Sequence, residues 1–346
     1  MRKIIILMLI LSFLVIPVSA VEFTAPEVPD SGKALMPSDT ETFGEGLWKI
    51  IKNAISAIYP DLAEAGKTCL KVFAAVLLMS LLHSFSGISK RTVELSGTLA
   101  VSWILLSATN SLLNLAADTV IEISDYGKLL LPVMTGAMAA QGGFSASAAL
   151  YAGTAFFDVV LSTAISNILI PLVYVFVALA VANSALGEDL LNKLQDFVKW
   201  LTTWCLKTIL YVFTGYMGIT GAISGGTDAA TLKATKLTIS GMVPVVGGIL
   251  SDASEAVLVG AGLMKNAAGI YGLLAMLAIW IGPFLKIGIQ YLLLKLTAAI
   301  CSVFDTKRTS QLIQDFSGTM GLLLGMTGSV CLLMLISTVC FLKGVG

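Results

Sequence analysis

The chain is predicted to be an all-α, polytopic membrane protein of about seven to nine spans. Of its 346 residues 57% are hydrophobic and 12% charged, against about 25% charged in ordinary soluble domains. Uncharged apolar stretches of 18 or more residues recur along it, each able to cross a hydrocarbon core of roughly 30 Å at 1.5 Å per helical residue. These stretches lack the alternation of barrel strands, and lipid satisfies no backbone N–H or C=O group, so the spanning elements are helices. Twenty-one basic residues balance 21 acidic ones. No net field is left to hold nucleic acid, and a nucleic-acid partner is excluded on that ground.

From the amino terminus, Arg2 and Lys3 precede the apolar run Ile4 to Ile16, and Pro17 leads to the small residue Ala20. Residues 1–20 have the plan of a secretory signal peptide, with an uncleaved anchor as the alternative. Either places Val21 outside the cytoplasm. Residues 21–42, with Pro26, Pro29, Pro37 and several acids, predict an extended, mobile leader. Residues 43–60 predict an amphipathic helix: Leu47, Ile50, Ile51, Ala54, Ile55 and Ile58 recur at helical spacing, with Lys49, Lys52 and Asn53 on other faces. It lies either on the membrane surface or on the protein's own bundle.

Residues 61–127 predict a first membrane hairpin. Leu70 to Phe85 spans, Lys90 and Arg91 mark a cytoplasmic loop, and Val93 to Ala117 crosses back to deliver Asp118, Glu122 and Asp125 outside. Five lysines between Lys33 and Lys71 fit that outside assignment less well.

Beyond Lys128 the chain repeats itself in outline. Leu131 to Ala137 (LPVMTGA) resembles Val243 to Ile249 (VPVVGGI), and each proline is followed 39 residues later by another, Pro132 by Pro171 and Pro244 by Pro283. Gln195-Asp196-Phe197 matches Gln314-Asp315-Phe316, each ahead of a Gly-rich apolar span. Two tandem units follow, 128–223 and 224–346. The runs Tyr151 to Ala185 and Ala267 to Phe304 exceed one conventional crossing. Proline removes a backbone donor and crowds the preceding turn. Pro132, Gly136, Pro171, Pro244, Gly247, Gly248 and Pro283 are therefore the candidate helix breaks, forming kinked helices, hairpins or re-entrant segments.

Ionisable residues at membrane depth need solvent or a partner. Asp158, Lys207, Lys286 and Lys295 are the candidates for a pathway or gate, together with Asp252 and Glu255 in LSDASEAVL. Lysines snorkelling at helix ends are the other reading. Gly215, Gly218 and Gly221, and Gly318, Gly321, Gly325 and Gly328, fall on narrow faces and predict helix contacts, within the chain or between copies of a homo-oligomer.

No catalytic constellation is found. His83 is the only histidine, placed as a polar residue at a helix end; a proton relay is its other reading. The five cysteines lie in apolar segments without a CxxC pair, so neither a metal site nor a disulfide framework is predicted. With no GxxxxGK[ST] and no HExxH, the chain is read as a non-enzyme without a cofactor, dependent on an external energy source.

The string KATKLTISGMVPVVGGILSDASEAVLVGAGLMKNAAGIYGLL, Lys233 to Leu274, preceded by a signal peptide, an amphipathic lead-in and a polytopic body, resembles the stage III sporulation protein AE family of endospore-forming Firmicutes. The resemblance implies a multi-pass protein of the mother-cell membrane around the forespore, a subunit of the secretion-like channel complex joining the two cells. It further implies a role in forespore development and late forespore gene expression. The implied partners are the other stage III sporulation A-operon proteins, including a secretion-type ATPase and ring-forming subunits, and indirectly stage II sporulation protein Q. It supplies no catalytic residue. From the residues alone, a self-sufficient secondary transporter with a midplane site at the broken helices and a purely structural membrane anchor stay open beside it.

Overall fold

A computed structural model of the chain describes residues 25–37, 42–83, 89–140, 144–187, 189–223, 267–304 and 307–343. Their regular structure is entirely helical. The candidate breaks Pro244, Gly247 and Gly248, the candidates Asp252 and Glu255, and the signal peptide lie outside these residues, as does the side of Gly221.

The helices follow in chain order. Pro29 precedes the single-turn helix α1, Asp30–Lys33. Thr42 opens α2, Phe43–Ala57, its hydroxyl accepting the Glu45 N–H at 3.4 Å; Thr42-Phe43-Gly44-Glu45 has the spacing of a capping box. Helix α3, Tyr59–His83, buries Ala65, Cys69, Val72, Val76 and Met79 at alternating steps of four and three, the period of one helix face. Helix α4, Lys90–Ala140, has 51 residues and a length of about 77 Å. Its inward seam, Ala116, Val120, Ile123, Gly127, Leu130, Met134 and Met138, keeps the same period. Helix α5, Phe144–Ala164, passes through a π turn at Ile165–Leu169 into α6, Ile170–Leu186. Gly187 then ends α6 at φ +72°, returning its N–H to the Asn183 carbonyl at 2.7 Å. That left-handed residue is cheap only for glycine. Helix α7 is Asp189–Ile223, α8 is Ala267–Cys301, continued by a 3-10 turn at Ser302–Phe304, and α9 is Lys307–Lys343.

Helix α9 is the axis of the bundle. It packs against α4, α5, α6, α7 and α8, and 83% of its apolar window is buried. Beyond Asp315 it carries no charge as far as Leu342 and is apolar on all sides, a sequence that a surrounded position satisfies. Its hydroxyls are answered within the helix: Thr327, Ser337 and Thr338 donate to the carbonyls of Leu323, Leu333 and Met334 at 2.8–3.1 Å.

One expectation is not confirmed and three are corrected. First, among the described residues five helices are long and apolar enough to cross a membrane, Tyr59–His83, Arg91–Ala139, Ser145–Leu186, Gly269–Phe304 and Lys307–Leu342, which does not confirm the seven to nine spans expected of the whole chain. Runs that exceed one crossing stay continuous here, and the first half of α7 carries Lys193, Asp196 and Lys199 at exposed positions, with Lys207 just beyond it. Secondly, Pro132 and Gly136 do not break α4, nor does Pro283 break α8; both helices continue through them. A proline removes one N–H and crowds one carbonyl, a local defect that the turns on either side outweigh when both are packed. Only Pro171 marks an irregularity: its missing donor would have served Asn167, and there the chain widens into the π turn. Thirdly, α4 shows no boundary after Ala117, and residues 127 and 128 both lie inside it. Fourthly, the leader is not all an extended tether. Val28 and Leu35 are buried, and Gly32 sits against Ile279 of α8. The face Phe43, Gly46, Ile50 and Ala54 of α2 is buried, and α2 packs on α8, leaving Trp48 and Ile55 exposed.

Candidate functional site

Asp158 is the buried carboxyl at the centre of the candidate site. It stands midway along α5, 1% exposed. Helical periodicity explains its surroundings: α4 turns Glu122, Asp125 and Lys128 away from the core and Ser124 and Tyr126 towards it. The Ser124 hydroxyl donates to Asp158 Oδ2 at 2.7 Å. Oδ1 is buried without a hydrogen-bond partner among the described residues, and so is the Tyr126 hydroxyl. One turn earlier on α5, Thr154 donates to Ser337 of α9 at 3.0 Å. Three helices thus place a short polar seam in an apolar interior.

Helix α5 is held against α7 beside the carboxyl. Phe157 meets the rings of Phe213 and Tyr216 at centroid distances of 5.5 and 5.8 Å. Tyr216 donates to the Ala149 carbonyl at 2.8 Å, and its ring covers Gly153 so closely that a Cβ there would fall inside it. On the outer side of α4, Lys128 pairs with Asp125 at 2.8 Å, and Ser31 donates to Glu122 at 2.5 Å.

The oxygen of a buried carboxyl that has no hydrogen-bond donor can accept a proton, a water or another donor. Its chemistry is that of binding and proton holding, and no nucleophile and base stand together at this site among the described residues.

Two of the other predicted pathway residues have partners of their own. Lys286 of α8 pairs with Asp61 of α3 at 2.7 Å, both partly exposed, which makes it a tie between helices. Lys295 is exposed, donates to the Tyr291 hydroxyl at 3.3 Å and lies over the same ring at 5.5 Å from its centroid. Lys207 is half-buried on α7. His83 ends α3.

The glycines of the two predicted faces differ in their surroundings. Among the described residues nothing lies within 4 Å of a Cβ placed at Gly215 or Gly218, so neither seats a described neighbouring helix. Gly318, Gly321 and Gly325 stand at ordinary contact, 4.0, 3.5 and 3.9 Å from Phe176, Tyr291 and Leu206, and Gly328 is buried. The close approaches are elsewhere, at Gly97 under Met79, Gly127 under Met334, Gly153 under Tyr216, Gly269 under Leu342 and Gly272 under Leu130. Sequence reasoning missed these, and it missed Ser124, because each requirement comes from a residue far away in the chain.

Set beside known proteins, residues 34–344 match the family described as Stage III sporulation protein AE. The chain is similar to Stage III sporulation protein AE of Bacillus subtilis (strain 168), 25% identical over 255 residues that cover 72% of this chain and 64% of the relative. The match thus spans just under two thirds of that relative's length. No solved structure matches.

Proposed function

Because the chain belongs to the stage III sporulation protein AE family, a membership that places it in sporulation, we propose that it is a non-enzymatic, multi-pass subunit of a secretion-like channel complex. In this reading it sits in the mother-cell membrane around the forespore and supports forespore development and late forespore gene expression. The observation that carries the reading is the position of α9. The most deeply buried of the described membrane-length helices fills the axis of the bundle, so a conduit would run along the outside of this subunit, between it and its neighbours. A platform for other subunits fits such a sealed bundle. The proposed neighbours are the other stage III sporulation A-operon proteins, the secretion-type ATPase and ring-forming subunits among them, with stage II sporulation protein Q reached through them.

Deletion of the gene in its own host tests this, with a fluorescent reporter under a late forespore promoter. The expected result is normal engulfment, loss of the reporter signal and recovery on complementation. An undiminished reporter in the deletion strain contradicts the proposal.

Asp158 favours a second reading, a secondary transporter, since an open buried carboxyl is what a proton-coupled site needs. That reading expects uptake by the purified protein in liposomes and its loss in Asp158→Asn.

A further inference from the structure

We propose that the groove between α3 and the start of α4 binds one acyl chain of an anionic phospholipid. The two helices approach closely where Met79 lies across Gly97, which lacks the Cβ that would hold α4 away. Around this crossing a cavity of about 550 Å³ opens on one side, within the range of roughly 300–1,000 Å³ typical of ligand pockets. Its walls are small or apolar, Ala74, Ala75 and Leu78 from α3 and Val93, Gly97 and Ala100 from α4, with Thr92 and Ser96 as the hydroxyl-bearing fringe.

Both walls belong to helices of membrane-spanning length, and only 28% of the α3 window is buried, so this hairpin faces lipid. The charge at the groove's end selects among lipids. Helix α4 begins with Lys90 and Arg91, directly ahead of the lining residues Thr92 and Val93; Glu94 follows, leaving this turn with a net charge of +1. The helix start adds its own partial positive charge. A phosphate headgroup at Arg91 with a chain running along Gly97 satisfies both halves of the site.

One other occupant fits less well. Residues 224–266 are tethered at the far end of the bundle, where Gly269 meets Leu342, whereas the groove lies near the Thr98–Thr309 hydrogen bond. To reach the groove from that end, the segment would have to run back along most of the length of α9.

The test uses the full-length chain in nanodiscs of equal phosphatidylglycerol and phosphatidylcholine, with retained lipid identified by native mass spectrometry after release. One phosphatidylglycerol per chain is expected, preferred about fivefold, the effect of one basic side chain near an anionic headgroup. Arg91→Gln should abolish the preference while a chain is still retained. Ala75→Phe, or Ala100→Phe if the first is not monodisperse, should remove the retained lipid. Equal retention of both lipids by the wild type overturns the proposal, as does undiminished retention in a monodisperse Phe variant. A dimer that Ala75→Phe dissolves, with no lipid retained, identifies a second copy as the occupant and overturns it equally.

Discussion

Asparagine in place of Asp158 keeps the shape of the side chain and an acceptor for Ser124, but it can neither ionise nor carry an exchangeable acid proton. If the open oxygen is used, Asp158→Asn folds normally and fails to support the forespore reporter. If it is only a packing group, both folding and the reporter survive. Ser124→Ala leaves the carboxyl with no donor among the described residues, and a loss of about 1–3 kcal/mol is expected from the orphaned group, read as a lower melting temperature in detergent. The glycines give a second residue-scale test. Gly153→Ala drives a methyl into the Tyr216 ring and should destabilise by about 1–3 kcal/mol, whereas Gly215→Ala, facing open space, should match or slightly exceed the parent, since alanine favours helix by up to about 1 kcal/mol. Equal melting temperatures for the two variants contradict the packing described. Asp158 was legible in the sequence because a lone carboxyl in TAFFDVVLST stands out against apolar neighbours. The tight glycines were not: spacing shows which glycines share a face, and says nothing of the Met79 or Tyr216 that a distant helix brings to them.

At the scale of elements, long apolar runs fixed helix positions well and helix interruptions poorly. The run Tyr151 to Ala185 left a kinked helix and a short hairpin both open, and it folds as α5 and α6 joined by one π turn ahead of Pro171. Pro132 and Pro283 look the same in sequence and sit inside unbroken helices, because the packed turns on either side decide whether a missing donor becomes a break. The amphipathic pattern at 43–60 merges two apolar stripes of the helix Phe43–Ala57: Phe43, Ile50 and Ala54 are buried in the packing on α8, and Trp48 and Ile55 remain outside. Gly187 is where an element boundary is most strictly required. Gly187→Ala puts a side chain on a left-handed residue and brings its Cβ to 2.8 Å from the Arg308 guanidinium. The expected loss is about 1 kcal/mol or more, measured by thermal unfolding beside Ala185→Gly as the reverse change; an unchanged melting temperature for Gly187→Ala contradicts the cap.

At the scale of the molecule, helix length and charge set how the bundle meets the bilayer. Helix α4 is about 77 Å long, more than twice the roughly 30 Å hydrocarbon core, so part of it stands in water. The hydrogen bond between Thr98 and Thr309, and Arg308 against Gly187, bring the starts of α4 and α9 and the α6–α7 turn to one end. Lys90, Arg91, Lys307 and Arg308 gather there, and the bias of basic residues towards the cytoplasm orients that end inward. With the chain produced in vegetative cells, Arg91→Cys should therefore react with an impermeant maleimide only after the membrane is opened, and Asp125→Cys in spheroplasts without opening; the reverse pattern inverts the topology. The all-helical membrane class was plain from composition, while the sealing of the bundle around α9 depends on which apolar helix ends up inside, which hydropathy alone does not rank. The central claim, that this sealed bundle works as one subunit among several, is tested most directly by tagging the chain and purifying it from detergent-solubilised sporulating cells after engulfment, with quantitative mass spectrometry and an unrelated polytopic protein as control. Recovery of the operon's ATPase and ring-forming proteins in fixed ratio is the predicted result. Recovery of the chain alone, while those proteins are present and intact in the same extract, contradicts it.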